Sequence, residues 1–225
     1  MTRQLLTGLL LGATALSAQT ETAKRLEASA DVFKEVMDIS DKAIPQKLLD
    51  KSYCAVVVPG LKKGAFIVGA KFGRGFVSCR KAGGAGWGAL AAVRVEGGSV
   101  GFQIGGSETD VIMLVMNERG MKRLLQNKFT VGADASAAAG PIGRTATAET
   151  DAMLTAEILT WSRARGLFAG VSLQGSTLRE DPDVNQDLYG KKMTNREVIS
   201  GDPAAPAGAK RLLSLLNQYS SRQAK

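Results

Sequence analysis

The stretch Arg165 to Ser176, RGLFAGVSLQGS, sets a serine among glycines, a setting that suits a nucleophilic hydroxyl. An acyl-transfer serine on a sharp strand-to-helix elbow needs Gly-x-Ser-x-Gly, because both glycines let the backbone turn tightly. Gly170 stands in place before Ser172, but the next glycine is Gly175, one residue too late. The chain has no histidine, so no imidazole can take the serine proton. Leu167, Ala169, Val171 and Leu173 alternate with Phe168, Gly170, Ser172 and Gln174, which is the period of a strand. Ser172 is therefore read as a strand residue, and no catalytic residue is assigned.

Other chemistry fails on similar grounds. No Gly-x-x-x-x-Gly-Lys-Ser/Thr loop is present, and the glycines from Gly83 to Gly88 precede a strand rather than a helix. Ser107 to Asp110, SETD, offers two acids near a strand start, read as solvated turn residues. Two cysteines without histidine exclude the usual zinc sets, and no cofactor is implied. Phe72, Phe76 and Trp87 interleave with Lys71, Arg74, Arg80 and Lys81, the composition of a base-stacking groove. No nucleic-acid signature accompanies them, and nucleic acid is not an expected partner. Core burial is expected for Phe66, Phe72 and Phe76.

Charge carries more. The 225 residues hold a net +8, and Lys51 to Val95 contains eight bases (Lys51, Lys62, Lys63, Lys71, Arg74, Arg80, Lys81, Arg94) with no acid. A segment of one sign marks a surface for an anionic partner, provided that its bases share a face. Residues 1–18 read as an export signal: Arg3, then an apolar run from Leu5 to Leu16 too short to span a bilayer, then ALSA. Export leads to an oxidising compartment, where Cys54 and Cys79 can form a disulfide; two buried thiols are the alternative.

The elements that must position these groups follow from periodicity. Residues 21–42 form an amphipathic helix with Leu26, Ala30, Phe33 and Met37 on one stripe, widened by Val32, Val36 and Ile39. Six acids and four bases cover the rest, so its polar face suits core packing better than an anionic membrane. YCAVVVPG reads as a strand ended by Pro59-Gly60, AFIVGAKFGRGFVSCR as a second, and the following apolar runs as further strands with a turn at Gly97-Gly98. Asn117 caps a helix, EILTWSRARGLFAGVSL makes a hairpin, and Thr194 with Glu197 forms a capping box. KRLLSLLNQYS closes the chain as a helix with Leu212, Leu215, Leu216 and Tyr219 on one face.

Four blocks, in order, resemble the SYLF lipid-binding domain family: IPQKLLDKSYCAVVVPGLKKGAFIVGAKFGRGFVSCR, GFQIGGSETDVIMLVMNERGMKRLL, FTVGADASAAAGPIGR and RGLFAGVSLQGS. The likeness spans about residues 25–192. It implies an α+β fold, a strongly bent, mainly antiparallel, partly barrel-like sheet packed with N-terminal, middle and C-terminal helices. It implies phospholipid binding without catalysis, phosphoinositides being the ligands of eukaryotic members. The division expected is a signal peptide at 1–18, the SYLF-like domain at 19–192 and a C-terminal helical extension at 193–225. The expected function is non-enzymatic binding of anionic phospholipid or a membrane surface by an exported, periplasmic or secreted protein. An envelope protein–protein or scaffold module is the alternative, and self-association is left open. Lys62, Lys63, Lys71, Arg74 and Arg80 are the expected head-group contacts. Actin, a partner of some eukaryotic members, is not expected for an exported chain.

Overall fold

The computed structural model describes residues 3–39, 43–65, 68–83, 85–100, 105–143, 155–164, 167–171 and 173–220. Helix α1 (Arg3–Asp38) buries Leu26, Ala30, Val32, Phe33, Val36 and Met37. It ends four residues before the expected Lys42. Pro45 disfavours helical backbone in the residue before it and caps the next helix, α2 (Gln46–Lys51).

Four long antiparallel strands follow: β1 (Cys54–Ala65), β2 (Val68–Arg80), β3 (Trp87–Val100) and β4 (Gly105–Val115), in the order β3-β2-β1-β4. After helix α3 (Glu118–Leu124) come the short β5 (Lys128–Thr130) and β6 (Ala137–Ala139). The expected hairpin is present as β7 (Ile158–Ala164) and β8 (Leu167–Gly170). β7 adds to β4, while β9 (Thr177–Glu180) and then β5 extend the β3 side. β6 on β7 is the sole parallel strand pairing among the described residues. Ser172 lies outside them.

Alternation along each strand divides the apolar residues between two faces. Val56, Val58, Val77, Cys79, Ala91, Val93, Val111 and Met113 meet Phe129 and Leu178 from the far end of the strand order, so the sheet curls around this inner cluster as a half-barrel. Ala55, Val57, Phe76, Leu90, Ala92, Ile112, Leu114 and Trp161 face outward and are covered by α1, α2 and a C-terminal helix carrying Leu212 and Leu216. Cys54 and Cys79 are register partners on β1 and β2, joined by a disulfide within the inner cluster (S–S 2.04 Å). At Gly75 a Cβ would lie 2.0 Å from the Val57 carbonyl oxygen, which is why this strand pair needs glycine.

Two expected strand breaks are absent. Pro59-Gly60 does not end β1 but forms a bulge, with the register slipping between Val58 and Leu61 against β4 and between Val57 and Lys62 against β2. Proline lacks the donor that a regular ladder would use, and Gly60 supplies the left-handed φ of +59°. Gly97-Gly98 is not a turn but lies inside β3, where a Cβ on Gly97 would sit 3.3 Å from the Cα of Ser176. The glycine marks a close approach of the chain entering β9.

β3 pairs with β9 only from Val93 to Glu96. Towards its start, that edge is met by side chains from the C-terminal third of the chain. These come from α4 (Pro182–Tyr189), from the end of α5 (Asn195–Gly201), which Thr194 and Glu197 cap as expected, and from α6 (Lys210–Tyr219). The amides of Trp87, Ala89 and Ala92 donate to Asn217 Oδ1 (3.2 Å), Asp202 Oδ1 (2.8 Å) and Asn185 Oδ1 (2.8 Å). Tyr189 donates its hydroxyl to the Leu90 carbonyl at 2.6 Å. Exposed strand edges are templates for aggregation, and these contacts occupy this one.

Burial, with Asp202 adding to it, pushes the Tyr189 hydroxyl up to about 12. Because the folded value is raised, the stability it confers is complete below the ordinary tyrosine range and is lost as pH climbs through about 12. Ultraviolet titration is expected to show one tyrosinate appearing near pH 12. Tyr189→Phe is expected to abolish that step.

Candidate functional site

A cleft of about 560 Å³ opens where the β1 bulge meets α1. The bulge creates it. Before the slip, Val58 points into the inner cluster; after it, Leu61 does, which turns Lys62 to the outer, helix-bearing face. Lys62 pairs across the strands with Phe72 and Glu108. Phe72, Arg74, Glu108, Asp110 and Arg163 line the cleft with Lys62, and α1 supplies Glu21, Lys24, Arg25 and Asp31.

Asp110 fixes the floor. Its Oδ1 accepts from the Gly60 amide at 2.9 Å, and its Oδ2 accepts from Arg163 Nε (2.9 Å) and Nη2 (2.7 Å). Arg163 also pairs with Glu35 of α1, tying helix to sheet. Burial raises the Asp110 carboxyl above its ordinary range, the Gly60 amide opposing and Glu108 adding to the rise. The stretch 107–110 is thus not a solvated turn but part of β4, because the strand starts at Gly105, before it. At the rim, burial lowers Arg25, and neighbouring Arg74 lowers it further, with Asp181 and Glu21 offsetting.

The five expected head-group contacts do not share a face. Lys62 and Arg74 reach the cleft, where Arg74 pairs with the buried Asp181 at 3.1 Å. Lys63 and Lys71 face each other across β1 and β2, one residue out of phase with Lys62. Burial and then Lys63 lower the Lys71 ammonium. Arg80 is at the opposite end of β2, where it donates to the carbonyls of Leu49 (3.0 Å) and Ser220 (2.7 Å) and stacks on Trp87 at 3.9 Å. Of the other bases in the basic segment, Lys81 pairs with Asp202 (3.1 Å) and Arg94 with Glu96 (3.2 Å). Among the described residues none of Lys62, Lys63 and Lys71 makes an ion pair.

The aromatic residues also separate. Phe76 and Trp87 are buried, so the base-stacking composition builds no platform; Phe72, expected in the core, is 49% exposed beside Arg74. Residue 66 lies outside the described residues. The run Ser78-Cys79-Arg80-Lys81 has the spacing of a serine–lysine pair but not its geometry. Ser78 is buried and donates to the Gly88 carbonyl at 2.8 Å, while Lys81 turns to Asp202. Among the described residues no cluster of histidine, cysteine or carboxylate side chains could hold a metal ion, and no helix is long and apolar enough to cross a membrane.

A family model described as Ysc84, "Las17-binding protein actin regulator", matches residues 96–219. SH3 domain-containing YSC84-like protein 1 of Xenopus laevis is 32% identical over 201 residues, covering 86% of this chain and 59% of that protein. An SH3 domain-containing protein of Schizosaccharomyces pombe is 35% identical over 181 residues, 79% of this chain and 42% of its own length. Protein YSC84 of Saccharomyces cerevisiae is 30% identical over 180 residues, 79% of this chain and 38% of its own. The chain thus spans less than two thirds of these relatives.

Proposed function

The chain belongs to the Ysc84 (SYLF) family, and on that premise we propose that it binds anionic phospholipid surfaces in the cell envelope, without catalysis. The observation that carries this reading is the end of the β1–β2 hairpin. There, among the described residues, Lys62, Lys63 and Lys71 make no ion pair, and Phe72, the register partner of Lys62, is half-exposed. Docked tip-first, the hairpin presents both of its faces, and each base near an anionic surface contributes about 1 kcal/mol, so the three give about 3 kcal/mol of salt-sensitive attraction. Phe72 supplies an apolar side chain for the interface. The α1 stripe is spent on the core, so attachment falls to the sheet rather than to the first helix. The export reading of residues 1–18 supports an envelope location and disfavours actin as the partner.

Cosedimentation with phosphatidylcholine vesicles, with and without phosphatidylglycerol, tests this at two salt concentrations. Binding is expected only to the anionic vesicles and is expected to weaken with salt. Lys62→Gln/Lys63→Gln/Lys71→Gln is expected to lose about 100-fold in affinity. Equal recovery with both vesicle types would overturn the proposal and favour a scaffold role. No cosedimentation with filamentous actin is expected.

A further inference from the structure

Like charges directly opposite one another weaken a sheet, yet the outer face carries such a row. Arg74 faces Arg94, Arg94 faces Arg179, and Arg179 faces Lys128. Four bases thus line up across β2, β3, β9 and β5, about 4.8 Å per strand and about 14 Å in all. Their neighbours Val93, Val95, Leu178 and Phe129 point into the inner cluster, so the row points outward. Arg74, Arg94 and Arg179 remain 40%, 34% and 38% exposed.

The carboxylates among them are too few. Asp181 lies 3.1 Å from Arg74, while Glu96 is shared by Arg94 (3.2 Å) and Arg179 (3.0 Å). The three buried Nε atoms make no well-directed hydrogen bond with these carboxylates. Arg25 adds a further positive charge at the Arg74 end, and Phe72 lies beside it. Guanidinium forks match phosphate oxygens two at a time, a geometry that lysine cannot reproduce.

We propose that this row, Arg74–Arg94–Arg179–Lys128, binds an array of phosphate groups, with Glu96 as a built-in competitor. The array is the phosphate plane of an anionic bilayer, an assignment that rests on the membrane reading above; a soluble polyphosphate shares the chemistry. Sequence reading missed the row because its members lie far apart along the chain and only strand register aligns them.

The experiment compares wild type, Arg94→Gln/Arg179→Gln, Lys63→Gln/Lys71→Gln and Glu96→Gln. Two probes are used: vesicles of phosphatidylcholine with phosphatidic acid, and free tripolyphosphate. The arginine pair variant is expected to bind both probes about 25-fold more weakly, at about fivefold per charge. Glu96→Gln, which frees two guanidiniums, is expected to bind both about fivefold more tightly. This gain cannot come from misfolding. Tripolyphosphate binding that needs the row, with no vesicle binding by wild type, upholds the row as a phosphate site and sinks the membrane reading. Wild-type affinity of the arginine pair variant for both probes, or no binding of either probe by wild type, overturns the proposal.

Discussion

Arg80→Gln is expected to cost about 3 kcal/mol of stability and to leave the vesicle affinity of the folded protein unchanged. The guanidinium sits where two helices end. It donates to the Leu49 carbonyl in the last turn of α2 and, at 3.4 Å, to the Ser52 carbonyl at that helix's cap. From the other side it donates to the carbonyl and hydroxyl of Ser220, which caps α6. Helix C-termini favour cations, so one side chain neutralises both ends. The Trp87 ring stacks against the guanidinium at 3.9 Å, and its own Nε1 donates to the same Ser220 carbonyl at 3.1 Å. Glutamine cannot span this set, and each buried acceptor left without a donor costs about 1–3 kcal/mol. Urea unfolding checks this: a loss of 3 kcal/mol lowers the midpoint by about 1.5 M at a slope of about 2 kcal/mol/M. An unchanged midpoint with weakened vesicle binding would return Arg80 to the head-group contacts.

Arg80 also shows what a sequence conceals. The basic segment from Lys51 to Val95 was legible as one sign of charge, but strand period alone does not say where charges point once a bulge intervenes. Pro59-Gly60 reads locally as a stop, whereas paired on both sides it becomes a one-residue slip that puts Lys62 rather than Lys63 on the outer, helix-bearing face. Features set by near neighbours were readable. The Asn117 and Thr194 caps, the α1 stripe and the β7–β8 hairpin each follow from residues within a few positions. Features set by register were not. Gly97 looked like a turn because the chain it must admit, at Ser176, is far along the sequence. Phe72 looked like core because alternation predicts a buried face along the whole of β2, while α1 covers only part of it. The four opposed bases of the outer face belong to the same class.

Asn185→Ala is expected to destabilise the protein by about 3 kcal/mol or more, although Asn185 contributes no charge to either basic surface. Its side chain is fully buried and bonded at both ends. Oδ1 accepts from the Ala92 amide at 2.8 Å, while Nδ2 donates at 2.9 Å to the Met193 carbonyl and at 2.9 Å to Asn195 Oδ1. Alanine strands one buried donor on β3 and two acceptors leading into α5. Asn185→Asp sharpens the case. The carboxylate keeps the Ala92 contact but opposes two acceptors, so its folded-state pKa must rise. Stability is then retained at low pH, where the acid can donate, and lost as pH rises through the folded value. Asn185→Ala has no such group and is expected to show no comparable recovery on acidification. The same bonds join β3 and α4 to the segment after Met193, whose Val198, Leu212 and Leu216 enter the two apolar clusters. Both variants are therefore expected to unfold in a single transition, with tryptophan fluorescence and far-ultraviolet dichroism coinciding. Separate transitions would instead make residues 193–225 an independent extension, attached to the sheet but not required by it.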